Sequence, residues 1–160
     1  MSIEKVRAYF RGLGMEDRVL EFDVSSATVE LAAVAVGVIP ARIAKTLSFK
    51  LPDRCILIVT AGDAKIDNRK YKDIFGTKAK MLTPEEAVEL VGHAVGGVCP
   101  FAVNDGVDVY LDISLKRFET VFPACGSSNS AIELNCDELE KYSGSLGWTD
   151  VCKAWQEENE

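Results

Sequence analysis

Ile3, Val6, Tyr9, Phe10 and Leu13 recur at three- and four-residue intervals, the spacing that gathers apolar side chains on one face of a helix. Gly14 follows where a C-terminal cap belongs, so the chain is expected to open with an amphipathic helix. Val19, Leu20, Phe22 and Val24 read as a strand, and the helix-forming run from Ser25 to Gly37 has N-cap candidates at one end and a glycine at the other. Residues 43–51 and 55–60 are apolar-rich segments separated by Pro52-Asp53-Arg54, the signature of a hairpin, with Lys45 on its first strand. Residues 67–75 are charged and helical in pattern. Thr83-Pro84-Glu85-Glu86 is a capping box with proline at the first helical position, which predicts a helix through Leu90. Further strands are expected at residues 107–113, 120–122 and 131–134, then a helix from about Asp137 and a polar, frayed tail after Trp155.

Helices and strands mix without a repeated βαβ rhythm, so the expected fold is α+β, with a mixed, partly closed sheet flanked by helices. The chain has 160 residues, of which 48% are hydrophobic and 27% charged, enough for a single domain over residues 1–160 with one sizeable core. It contains no run of eighteen uncharged apolar residues, and charges occupy the N-terminus where a signal peptide needs its apolar segment. A soluble protein of the cytoplasm, with no membrane contact, is the expectation.

Cys55, Cys99, Cys125, Cys136 and Cys152 are odd in number and show no paired spacing, so neither a disulfide framework nor a zinc site is indicated. His93 is the single histidine, and any histidine-dependent nucleophile or metal site must be built on it. The net charge of −7 argues against broad, salt-driven binding to nucleic acid, yet the average hides an asymmetry. Residues 42–80 carry ten Lys or Arg against four acids, a local +6. That segment is either a solvated face or a basic patch toward a polyanion.

The segment Gly92-His93-Ala94-Val95-Gly96-Gly97-Val98-Cys99-Pro100-Phe101 sets three glycines and a proline between apolar runs. Glycines so spaced serve a tight bend or a close approach of backbone to ligand. Backbone amides without side-chain cover can also hold a developing oxyanion, for which Gly96 and Gly97 are the candidates.

Taken in order, the chain presents Thr28 with Leu31-Ala32-Ala33, Val38-Ile39-Pro40 leading to Ile43-Ala44-Lys45-Thr46-Leu47, and Gly62-Asp63 with Lys65. Then come Gly92-His93, Gly96-Gly97-Val98-Cys99-Pro100-Phe101, Val109-Tyr110-Leu111-Asp112 and Ala124-Cys125-Gly126-Ser127. No single piece is specific, but the ordered set resembles the YbaK-like aminoacyl-tRNA deacylases, relatives of the editing domain inserted in bacterial prolyl-tRNA synthetases. The resemblance implies a trans-editing hydrolase that cleaves the ester of a small mischarged amino acid on tRNA, foremost tRNA for proline. Lys45 would engage the aminoacyl-adenosine end and the Gly96 and Gly97 amides would polarise the carbonyl. Thr28, Thr46, Cys99, Pro100, Phe101, Asp112, Gly126 and Ser127 would border the substrate, with Asp112 orienting Lys45 or a water. No metal or organic cofactor is implied. The partners implied are the aminoacylated 3′ end of tRNA and, as a candidate, prolyl-tRNA synthetase; the oligomeric state is not implied. Two other readings stay open: a catalytically idle module that holds a tRNA 3′ end or a nucleotide, and a thiol-dependent hydrolase centred on Cys99 and His93.

Overall fold

A computed structural model describes residues 2–155. Helix α1 (Ser2–Gly12) is followed by strand β1 (Val19–Glu21), α2 (Val29–Val36), β2 (Ile43–Lys50), β3 (Cys55–Ala61), β4 (Lys65–Ile66) and α3 (Asn68–Phe75). Then come α4 (Pro84–Glu86), which runs on into a π turn over Ala87–Val91, and β5 (Asp108–Asp112), whose end enters a 3₁₀ turn over Ile113–Arg117. Strands β6 (Thr120–Pro123), β7 (Ser130–Ile132) and β8 (Leu134–Asn135), helix α5 (Cys136–Ser143), and strands β9 (Trp148–Thr149) and β10 (Cys152–Lys153) complete the order.

Six strands form a mixed sheet in the order β8-β6-β2-β3-β5-β9, curled into a half-barrel. The predicted hairpin is its centre: β2 and β3 pair antiparallel from Ala44↔Ala61 to Lys50↔Cys55, while β6 joins β2 and β5 joins β3 in parallel. Strand β3 is buried at every position, as a central strand covered on both faces should be. Two antiparallel ribbons, β1 with β7 and β4 with β10, lie beside the sheet. Helix α1 packs onto the core through Val6 and Phe10, the Phe10 ring lying 4.9 Å from that of Phe101. No helix among the described residues is long and apolar enough to cross a membrane.

The local signals act where they were read. Thr28 Oγ1 accepts from the Leu31 amide and Gly37 closes α2 in the left-handed region, while Asp67 caps α3 and Thr83 and Glu86 form the capping box. Three details differ. The helix expected through Leu90 has three α residues and then widens into the π turn, ended by Gly92 at φ +98°. The strand expected over 131–134 is two strands, because the chain changes partner from β1 to β6 at Glu133, whose carboxylate accepts from Thr120 Oγ1. Val24 lies beyond β1 and is exposed. The polar tail after Trp155 falls outside the described residues.

Candidate active site

Between α2, the open side of β2 and the glycine-rich segment lies a cavity of about 250 Å³, small beside the ~300–1,000 Å³ of pockets for drug-sized ligands. Its floor and walls are largely apolar, with Val29, Leu47, Val98 and Phe122 prominent; Val95 and Met81 border it with exposed side chains.

Strand β2 borders the cavity because its second edge is only partly paired. The ladder to β6 stops at Ala44↔Pro123, and main-chain bonding resumes where the Leu82 amide donates to the Ser48 carbonyl. Hydrogen-bonding direction alternates along a strand, so Thr46 turns its amide and carbonyl to the same side as Ser48, into the gap. The Thr46 side chain points to the face opposite that of Lys45 and Leu47, where its Oγ1 is buried with no hydrogen-bond partner among the described residues.

Lys45 is half-buried and lines the cavity. Its ammonium donates to the Ala64 carbonyl at 2.6 Å and lies 3.5 Å from the Gly62 carbonyl. An ammonium has three N–H donors, so one remains for a ligand. Burial pulls the Lys45 pKa down, and Lys65 adds to this, while Cys152, Asp63 and Glu30 oppose it.

The turn after β3 that supplies these carbonyls is held from three sides. A Cβ on Gly62 would overlap the Pro40 carbonyl oxygen, so only glycine lets the turn lie this close to the start of β2. Asp63 pairs with Arg117 at 2.5 Å. The third hold begins at Asp112, fully buried, whose carboxylate accepts from the amides of Ser114 and Val151 at 2.9 Å. Ser114 Oγ in turn accepts from the Ala61 amide. Asp112 therefore acts on the Lys45 anchor through Ser114 and the end of β3, with no atom of its own in the cavity lining.

The glycine segment divides its tasks. Gly96, at φ +96°, lines the cavity, and among the described residues its amide meets no acceptor. Gly97 donates its amide to the Ala94 carbonyl at 3.0 Å and presses against another loop: a Cβ there would stand 2.7 Å from the Gly126 carbonyl carbon and from the Ser127 nitrogen. Of the two amides, that of Gly96 is the one without an acceptor among the described residues, and Gly97 provides the close approach between the two loops.

Of the residues singled out in the sequence, Thr28, Lys45, Thr46 and Gly96 meet at the cavity. Cys99, Pro100 and Phe101 are buried behind it in the core, and Gly126 and Ser127 hold the loop against Gly97. Ser127 Oγ donates to Asn129 Oδ1 at 2.8 Å and lies 2.8 Å from Ser130 Oγ, and it is Ser130 that reaches the lining. The sequence reading missed Val29, Met81, Leu82, Phe122 and Ala131; Met81 and Leu82 arrive through an isolated bridge, Phe49↔Met81, too short for a period to reveal.

His93 and Cys99 do not form a nucleophilic pair facing this cavity. His93 Nε2 lies 2.8 Å from the Phe101 carbonyl and Cys99 Sγ lies 3.6 Å from the same nitrogen. A carbonyl only accepts, so Nε2 carries the proton and cannot receive one from the thiol. Burial pushes the Cys99 pKa up to about 12, leaving the thiol protonated and inert.

Burial also lowers the His93 pKa below its ordinary 6.5, against the raising effect of the Phe101 carbonyl. Unfolded histidine then takes up a proton at a pH where the folded one stays neutral, so this contribution is complete above about pH 6.5 and falls as the pH drops toward the folded pKa. Urea midpoints at pH 7.5 and pH 5.5 test this. The native protein should lose stability between them, and His93→Gln should lose less; equal losses would assign the slope to other groups.

An apolar cavity bordered by an ammonium and an unpartnered amide suits a small neutral or anionic group with a polarised carbonyl. The aminoacyl-tRNA editing domain family model matches residues 24–142. A Bacillus subtilis protein, YwhH, itself uncharacterized, is 57% identical over 157 residues, 98% of this chain and the whole of that one. A Geobacillus proline–tRNA ligase is 30% identical over 102 residues, 63% of this chain and 18% of the ligase. A crystal structure described as a "putative trans-editing enzyme for prolyl tRNA synthetase" superposes with a TM-score of 0.86 at 29% identity, over 95% of this chain and 97% of that one. The Lys45 strand, the Gly62 turn and the Gly96 loop therefore stand in a chain that belongs to the aminoacyl-tRNA editing domain family.

Proposed function

We propose that residues 1–160 act as one trans-editing unit that hydrolyses the ester linking a small, incorrect amino acid to the 3′ end of tRNA, foremost tRNA for proline. The observation that carries this reading is the polar pair at the cavity: the spare Lys45 N–H and the unpartnered Gly96 amide. They border a space of about 250 Å³ that suits an acyl group and little more.

Among the described residues the lining offers no carboxylate, imidazole or thiol, and in this reading the step runs without a covalent enzyme intermediate. Water attacks the ester carbonyl, and the oxyanion that forms is met by the Gly96 amide. The bond to the ribose oxygen then breaks, and the proton lost by water reaches that leaving oxygen through the neighbouring ribose hydroxyl. Lys45 holds the acyl-adenosine by its charge, as a compact ammonium suits a phosphate or ester oxygen. Because one methylene is worth only about 1–3 kcal/mol in an apolar pocket, exclusion of the larger correct residue is steric, through walls such as Leu47 and Val98.

Deacylation of tRNA charged separately with alanine, cysteine, serine, threonine and proline tests the reading. Hydrolysis confined to the smaller residues is expected. A lining without a base also suits a module that merely holds the tRNA end, and binding of uncharged tRNA with no turnover on any substrate would replace the hydrolase by that reading.

A further inference from the structure

The excess positive charge of residues 42–80 does not survive folding as one patch. Arg42 lies 3.5 Å from Glu133, Lys50 lies 2.5 Å from Glu86, Arg54 lies 2.7 Å from Asp108, and Lys70 lies 3.0 Å from Asp150. Lys65, Arg69 and Lys72 are exposed and, among the described residues, meet no carboxylate within 4 Å.

The fold adds a fourth cation from the far end of the chain. Lys153 is exposed and is the register partner of Lys65 in the β4/β10 ribbon, and its charge reaches Asp67 at the cap of α3. Arg69 and Lys72 stand three apart on α3 and so share a face. The acids nearest in sequence do not cancel the group: Asp150 is taken by Lys70, and Asp67, at the cap of α3, and Asp73 stand against four cations.

This surface adjoins the cavity. Lys65 follows Ala64, whose carbonyl holds the Lys45 ammonium, and the charge of Lys65 reaches Lys45. Lys78 and Lys80 lie elsewhere, since the Lys80 carbonyl accepts from Lys50, five residues along β2 from Lys45 and so about 17 Å away.

We infer that Lys65, Arg69, Lys72 and Lys153 form a docking surface for the sugar–phosphate backbone of the tRNA acceptor stem, leading its 3′ end to Lys45. The identity of the polyanion rests on the editing reading; the surface itself rests on unpaired charge beside the cavity. Backbone contacts of this kind release counterions, so affinity falls with salt by about 0.7–0.9 logarithmic units per decade for each phosphate met. In a chain of net charge −7, only a local surface can produce such a slope.

Binding of uncharged proline tRNA across a salt series tests this without requiring catalysis. Lys65 is kept, because its charge acts on Lys45. The triple variant Arg69→Gln, Lys72→Gln, Lys153→Gln is compared with a matched triple of paired cations, Arg18→Gln, Lys50→Gln, Arg54→Gln. The first should flatten the slope by about 2–3 units and weaken binding at about 50 mM salt by about ten- to a hundred-fold; the second should change the slope by less than about 1. Hydrolysis of a short acyl-adenosine by the first triple should match that of the native protein. An unchanged slope in the first triple, equal flattening in both, or tighter binding to anionic lipid vesicles than to tRNA would overturn the surface. Lack of turnover by the native protein, with the slope difference intact, would overturn the hydrolase reading and leave the surface standing.

Discussion

Lys45→Ala should lower kcat/KM for deacylation of charged tRNA by about 10²-fold or more while leaving a folded protein. A hydrogen bond from a charged donor contributes about 1.5–3 kcal/mol, and 1.36 kcal/mol is tenfold in rate, so the direct contact accounts for about 10- to 10²-fold. The rest comes from the turn: without the ammonium, the Ala64 carbonyl that it meets at 2.6 Å is left buried and unpaired. Lys45→Met retains an unbranched stem of similar length, and should lose activity almost as fully, which separates charge from bulk. Lys45→Arg should not rescue, because a planar fork cannot take the place of a point charge between the Ala64 carbonyl and the cavity. Rates equal to native on every substrate would remove Lys45 from the site.

How much of this was visible in the chain depends on the range of the signal. The capped helices and the β2/β3 hairpin were legible because their determinants lie within a few residues: Thr28 and Gly37 bound α2, and Pro52-Asp53-Arg54 separates two apolar runs that pair as expected. Strands β4, β9 and β10 have two residues each, below the length at which an alternation can be read. Of the site, Lys45 and Gly96 were legible through their flanking motifs. Cys99, Phe101 and Asp112 were drawn toward the substrate by the same motifs, yet they lie fully buried, Asp112 holding two backbone amides that no local pattern could disclose. The Lys65–Lys153 pairing joins residues 88 apart, so the charge asymmetry of residues 42–80 was real but its boundaries were not: four of its cations are paired with acids from outside the segment, Glu86, Asp108, Glu133 and Asp150.

Gly97→Ala should cost more than its size suggests, through geometry alone. The added Cβ would stand 2.7 Å from the Gly126 carbonyl carbon and the Ser127 nitrogen and 2.8 Å from the Ser127 Cα, and these are backbone atoms that cannot rotate aside. Gly126 cannot retreat, since it sits at φ +95° with the Ser2 carbonyl oxygen 2.8 Å from its own Cβ position. Behind it α1 is fixed by Lys5 on the Gly92 carbonyl and by Arg7 on Glu21. The two loops must therefore part, breaking the Gly97–Ala94 turn and carrying the Gly96 amide off the carbonyl that it would polarise. Removal of one oxyanion donor costs about 10²- to 10³-fold in rate, so a loss of that order in kcat is expected, together with about 1–3 kcal/mol of stability from the overpacking. In a chain of this length each kcal/mol lowers Tm by about 2–4 °C. Gly12→Ala is the control, as its Cβ meets nothing within 4 Å, and it should match the native protein in both measurements. A Gly97→Ala protein that melts lower yet hydrolyses at the native rate would show that the loop contact supports the fold without placing the amide, and the oxyanion role of Gly96 would fall with it.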